Sequence, residues 1–133
     1  MVHIGGCIIR NTIIKVIDEN DLAFMDGLQS LGVNRNVASL ITYLRDVKEG
    51  SSRDIEMATG LRQPEVSIAM KTLRASGWVA EREIERNGKG RPLKIYALRS
   101  TIDEIIEYYE TQKTQESARN LEAIQRLREL SSA

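Results

Sequence analysis

SSRDIEMATGLRQPEVSIAMKTLRASGW, residues 51–78, is the stretch on which the fold turns. Ser51 or Ser52 is placed to cap a short helix through Ile55 and Ala58, because a serine hydroxyl satisfies free N–H groups in a helix's first turn. Gly60 ends that helix, since glycine takes the left-handed conformation without strain. Leu61-Arg62-Gln63 then forms a turn, and Pro64 suits the first position of a further helix, where its missing N–H costs nothing. In that helix Val66, Ala69, Met70 and Leu73 fall at steps of three, one and three, which puts them on one buried face. Gln63, Glu65, Ser67, Ile68, Lys71 and Arg74 project from the other side, and Gly77 stops the helix. Ala58 is small enough to let the two helices approach. A short support helix, a tight turn and a second helix with a clean outer face make a helix-turn-helix.

Downstream, the period changes from helical to two. Residues 78–86 and 92–98 read as strands joined by Asn87-Gly88-Lys89-Gly90-Arg91, and Asn-Gly is a strong hairpin signal because both residues tolerate positive φ. Ser100 or Thr101 caps a long helix whose stripe of Ile102, Ile105, Ile106 and Tyr109 resumes, after a polar stretch, at Leu121, Ile124 and Leu127. Upstream, Asn34 caps a helix with Val37, Leu40, Ile41 and Leu44 on its inner face, extended by Val47 before Gly50. A shorter helix before it carries Leu22, Phe24, Met25 and Leu28 and stops at Gly32. The β-branched run over residues 2–17 predicts one or two short strands. The expected class is α+β: an N-terminal strand-like arm (residues 1–18), a winged helix-turn-helix domain (19–100) and a long C-terminal helix (101–133).

Nineteen basic and nineteen acidic side chains cancel over the 133 residues, but not locally. Residues 1–61 hold six basic and eight acidic groups, residues 62–99 nine and four, and residues 101–133 four and seven. Positive charge is concentrated in the second helix of the motif and the hairpin, as a nucleic-acid footprint requires. A major groove admits a helix, and Gln, Ser, Lys and Arg all pair with base edges or phosphates. The candidate recognition residues are therefore Arg62, Gln63, Pro64, Glu65, Ser67, Ile68, Lys71 and Arg74, with Ile68 suited to a thymine methyl. The hairpin supplies Arg82, Arg86, Lys89, Arg91 and Lys94 to straddle a phosphate backbone or minor groove.

At these residues a family resemblance emerges. Leu73-Arg74-Ala75-Ser76-Gly77-Trp78-Val79 resembles the helix end and strand start of MarR-like and TrmB-like winged-helix regulators. Gly88-Lys89-Gly90-Arg91-Pro92-Leu93-Lys94-Ile95-Tyr96 is similar to the wing of TrmB-like and small archaeal regulators. The resemblance covers roughly residues 20–110 and leaves the N-terminal arm outside it. It implies binding of double-stranded DNA as a homodimer, with the helix after the turn as the reading element. The corresponding function is a sequence-specific transcriptional regulator, a repressor that occupies promoter DNA.

Other chemistries find little support. His3 and Cys7 lie four residues apart, but with no other His or Cys in the chain they close no metal site. Gly88-Lys89-Gly90 sits in a hairpin and lacks the spacing of a nucleotide loop. The single histidine has no partnered acid, so no enzyme, cofactor or catalytic residue is expected. A lone cysteine suits a reducing cytoplasm, and no stretch approaches the roughly 18 apolar residues of a membrane span. Ile4-Gly5-Gly6-Cys7 reads as a turn entering a strand, because too few residues precede it for a lipoprotein leader. A small-molecule effector is left unspecified. The alternative class is a winged-helix interaction module of the transcription machinery that does not read sequence. For the C-terminal helix, the later stripe lies beyond the reach of a small domain, which points to a second subunit; Ile102, Ile105, Ile106, Tyr109, Leu121, Ile124 and Leu127 are its dimerisation candidates.

Overall fold

The computed structural model describes residues 6–9, 12–15, 17–85 and 90–132, the first two stretches by their backbone. The chain forms two compact units, residues 1–101 and 102–133. The first begins with a β-hairpin, β1 (Gly6–Ile9) and β2 (Thr12–Lys15), paired antiparallel from Gly6 opposite Lys15 to Ile9 opposite Thr12.

Helix α1 (Glu19–Ser30) starts on a reciprocal cap: the Asp18 carboxylate accepts from Asp21 N–H at 2.9 Å, and the Asp21 carboxylate accepts from Asp18 N–H at 3.0 Å. Its buried face is Asp21, Met25 and Leu28, an i, i+4, i+7 row. Leu22, expected on that face, is instead half exposed. The helix is rotated because Asp21 turns inward to take a 2.8 Å bond from Arg45, whose guanidinium lies 4.2 Å from the centre of the Phe24 ring.

Helix α2 (Arg35–Asp46) is capped by Asn34, whose side chain accepts from Asn36 N–H at 2.9 Å. The inner-face pattern understates its burial, since every residue from Val37 to Leu44 is buried. Ser39 and Thr42 tolerate this because their hydroxyls donate to the carbonyls of Arg35 and Ala38, at 3.0 and 2.7 Å. This helix is the hub of the unit, packed against α1 and against two later helices and one later strand.

After it comes β3 (Gly50–Ser51), a two-residue strand without a sequence signal of its own. Gly50 is more than a helix stop, because a Cβ there would come within 2.8 Å of the Tyr43 ring. Helix α3 (Ser52–Thr59) is capped by the Ser51 hydroxyl, which accepts from Asp54 N–H at 3.0 Å, and ends at Gly60 with φ +76°. Helix α4 (Gln63–Ala75) follows. It starts one residue earlier than the Pro64 position suggests, because the Glu65 carboxylate accepts from Arg62 N–H at 2.9 Å and closes the first turn there. Pro64 then occupies the second helical position, where its N–H is equally dispensable. At the other end Gly77 takes φ +77°, and Trp78 N–H donates to the Leu73 carbonyl at 3.1 Å. Trp78 therefore belongs to the helix terminus, and the strand expected over 78–86 is shorter.

Strands β4 (Val79–Ile84) and β5 (Leu93–Leu98) pair antiparallel from Val79 opposite Leu98 to Ile84 opposite Leu93. β3 adds to the free side of β5, giving the order β3-β5-β4. Leu40, Ile41, Ile55, Val66, Met70 and Leu73 are almost completely removed from solvent, each contributing about 1.5–3 kcal/mol by burial. They join α2, α3 and α4 into one core, which fixes the turn and the pitch of α4. The second unit is a single helix, α5 (Ile102–Ser132), of 31 residues. Among the described residues, no helix is long and apolar enough to cross a membrane.

Candidate nucleic-acid interface

Helix α4 separates its two faces as its spacing requires. Val66, Ala69, Met70 and Leu73 are buried, whereas Arg62, Gln63, Pro64, Glu65, Ser67, Ile68, Lys71 and Arg74 are all exposed. Ile68 is 70 % exposed, a large apolar side chain held out in water in the middle of a polar face. Gln63 donates from Nε2 to the Ser67 hydroxyl at 3.2 Å, one turn apart, so the two are pre-aligned on the outer surface. Glu65 is committed to the helix cap and cannot turn outward without losing it.

The basic side chains are less uniform than the sequence suggests. Arg74 donates to Glu81 Oε1 at 2.8 Å, and Lys94 lies 3.9 Å from Glu81 Oε2. Arg82 makes a two-pronged bond to Glu49, at 2.8 and 3.1 Å. Hydrogen bonding to Arg82 holds the Glu49 carboxyl below its ordinary range, and Arg82 is held correspondingly more firmly protonated. Both side chains are about half exposed, so the pair orients side chains rather than holding the fold together. The Tyr96 hydroxyl is pushed above its ordinary pKa, first by burial and then by the nearby Glu81 charge. Arg86 and Lys89 lie outside the described residues, as do Asn87 and Gly88. Gly90 takes φ +77°, a left-handed turn at the start of the returning strand.

Arg91 and Lys94 line a cleft of about 310 Å³ between α4 and β5, together with Gln63 and Ser67 of α4 and with Ser52 and Arg53 at the start of α3. A helix start presents N–H groups and the positive end of the helix dipole. Ser52 and Arg53 were not among the residues expected to touch a ligand. Their signal was present, a Ser-Ser-Arg run at a helix N-terminus, but it read fully as capping. Among the described residues there is no cluster of His, Cys, Asp and Glu that could hold a metal.

In unit 2, Ile105 is fully buried, and Ile102 and Tyr109 are partly covered. Ile106, Leu121, Ile124 and Leu127 are exposed, and so is Leu130, which the apolar pattern had not included. Tyr108 and Tyr109 meet edge to face at 5.2 Å.

No protein-family model matches the chain, and no curated protein matches it in sequence. Solved structures do match in shape. A chain from Methanosarcina mazei Go1, described as a "possible transcriptional regulator", superposes with a TM-score of 0.56 at 14 % identity, over 90 % of this chain and 97 % of its own. The fold is a winged helix-turn-helix. A weaker likeness, TM-score 0.45 at 20 % identity, covers 86 % of this chain and 87 % of Bordetella bronchiseptica BpsR, a protein whose DNA binding is regulated by 6-hydroxynicotinic acid. In the winged-helix frame, α3 is the support helix, α4 the helix after the turn, and β4 and β5 the strands of the wing.

Proposed function

We propose that this chain is a sequence-specific double-stranded DNA-binding transcriptional regulator of MarR/TrmB-like type, a cytoplasmic repressor acting as a homodimer. The observation that carries the reading is the outer face of α4. Gln63 and Ser67 are aligned by their own hydrogen bond, Ile68 stands 70 % exposed beside them, and Lys71 follows one turn on. A solvated helix gains nothing from an isoleucine there, whereas a base-reading helix uses it against a thymine methyl.

Helix α4 enters the major groove, with Gln63, Ser67 and Lys71 as base-reading residues. Arg53, Arg91 and the start of α3 hold the flanking phosphates and set the register of the helix on the duplex. Occupancy of promoter DNA then excludes competing proteins without any chemistry. The domain boundaries that fit this division of labour are an arm over residues 1–18, the DNA-binding domain over 19–100 and the pairing helix over 101–133.

One observation favours the second reading, a winged-helix module that contacts other proteins. Arg74, Arg82 and Lys94 already face carboxylates, which thins the positive field. Selection of bound fragments from a random duplex pool, followed by titration across salt, separates the two. The DNA-binding reading expects enrichment of a palindromic site and affinity that falls steeply with salt. An unenriched pool with flat salt dependence favours the interaction module.

A further inference from the structure

Counting along α5 from Ile102 at alternating steps of four and three picks out one stripe, the 3.5-residue period of a helix that pairs with another helix. Ile102, Ile106 and Tyr109 form its first part, and Ala123, Leu127 and Leu130 its last. Between them the same positions carry Lys113, Glu116 and Asn120, a polar waist in an otherwise apolar seam. Leu127 and Leu130 are about two-thirds exposed, as is Leu121, and Ile124 is about half exposed. Nothing among the described residues covers this end of the helix.

We infer that α5 pairs with α5 of a second copy of this chain in antiparallel orientation, about a two-fold axis close to residue 117. The inference rests on the dimeric part of the function proposed above and adds its geometry. Charge selects the orientation. Residues 102–112 carry four carboxylates, Asp103, Glu104, Glu107 and Glu110, and no cation, whereas residues 119–130 carry three arginines and two glutamates. A parallel pair would set the acidic halves side by side. An antiparallel pair sets each acidic half beside the half that holds Arg119, Arg126 and Arg128. Flanking charges of this kind add little strength but decide partner orientation.

The waist makes the same choice. Side by side in parallel register, Lys113 meets Lys113 and Glu116 meets Glu116 within the seam, two like-charge contacts out of water. In the antiparallel pair Lys113 leaves its own copy and comes opposite the Asn120–Leu121 region, so only Glu116, next to the axis, stays near its own copy. Each waist cation keeps its own neutralising partner, since Lys113 lies 3.6 Å from Glu116 on the same helix. The apolar ends then cover one another, with Ile106 and Tyr109 against Leu127 and Ala123.

The test is a distance measurement on the full chain with Cys7, its only cysteine, replaced by Ser. A nitroxide is placed at Ser117→Cys in one sample and Glu129→Cys in another, both exposed positions, and pulsed dipolar spectroscopy reads the separation between copies. Residue 129 lies 12 residues from the axis, so its two copies are roughly 36 Å apart at about 1.5 Å per residue. Copies of residue 117 face each other across helices about 8–10 Å apart, so their labels lie within about 20 Å. A short distance at both positions shows a parallel pair and overturns the inference. A long distance at residue 117, or no dipolar signal at either position, shows that α5 does not pair in this way. As a second arm, Leu127→Glu is expected to convert the dimer to monomer in sedimentation; a dimer that survives it unchanged also overturns the inference. Any of these failures leaves base reading by α4 standing, because that is tested on DNA and not on α5.

Discussion

The Arg74 guanidinium at the C-terminal end of α4 and the Glu81 carboxylate on β4 are 2.8 Å apart, with Lys94 of β5 3.9 Å from the other oxygen of the same carboxylate. One acidic side chain thus ties α4 to both strands of the wing and neutralises two cations of the proposed DNA-binding surface.

Glu81→Gln is accordingly expected to tighten DNA binding. Loss of the carboxylate frees Arg74 and Lys94 for phosphate, and the slope of log affinity against log salt should steepen by up to about two. Fluorescence anisotropy over a range of salt checks this. A variant that binds more weakly with an unchanged slope would mean that the contact is needed to hold the wing in place.

How far such a contact can be read beforehand depends on its range in sequence. The inner face of α4 was legible because Val66, Ala69, Met70 and Leu73 obey a local period, and Asn34 and Ser51 were legible as caps because capping acts over two or three residues. The burial of Asp21 was hidden, since it depends on Arg45, 24 residues away. The pairing of Arg82 with Glu49 spans 33 residues and was equally hidden. Strand β3 has two residues and no period to detect; it exists because β5 offers an edge and Gly50 clears the Tyr43 ring. The part of the candidate site supplied by Ser52 and Arg53 was missed for a related reason, as a capping sequence also satisfies a phosphate.

Arg53→Ala with Arg91→Ala should weaken binding to preferred and random duplexes by the same factor and flatten the salt slope by about two. Both residues line the cleft beside α4, one in the first turn of α3 and the other just before β5, off the helix proposed to read bases. Parallel titrations on the two DNAs provide the measurement. A loss confined to the preferred site would make them base readers instead.

Two glycines should respond to alanine in opposite directions. Gly50→Ala drives a Cβ to 2.8 Å from the Tyr43 ring, an overpacking expected to cost about 1–3 kcal/mol. Gly27 lies inside α1 with nothing within 4 Å of a new Cβ, so Gly27→Ala should stabilise by about 0.5–1 kcal/mol through helix propensity. Urea unfolding of both variants checks the signs, and a neutral Gly50→Ala would show that the Tyr43 ring moves aside freely.

Burial holds the Tyr43 and Tyr96 hydroxyls above their ordinary pKa, with Asp54 and Glu81 respectively adding to the shift. A raised pKa in the folded state leaves stability intact below the unfolded value near 10 and removes it as pH climbs through the folded values. Absorbance titration should therefore show tyrosines ionising late in the native protein, with unfolding cooperative above that range. Ordinary tyrosine titration in the native protein would contradict the packing around both rings.

The central claim, that the outer face of α4 reads base sequence, is tested most directly by comparing two affinities for each of Gln63→Ala, Ser67→Ala and Lys71→Ala. One is for the duplex enriched from a random pool and the other for a random duplex of equal length at equal salt. The account predicts that each substitution costs about 1–3 kcal/mol on the enriched site and clearly less on random DNA. Equal losses on both duplexes for all three would contradict it and make α4 a backbone-binding helix.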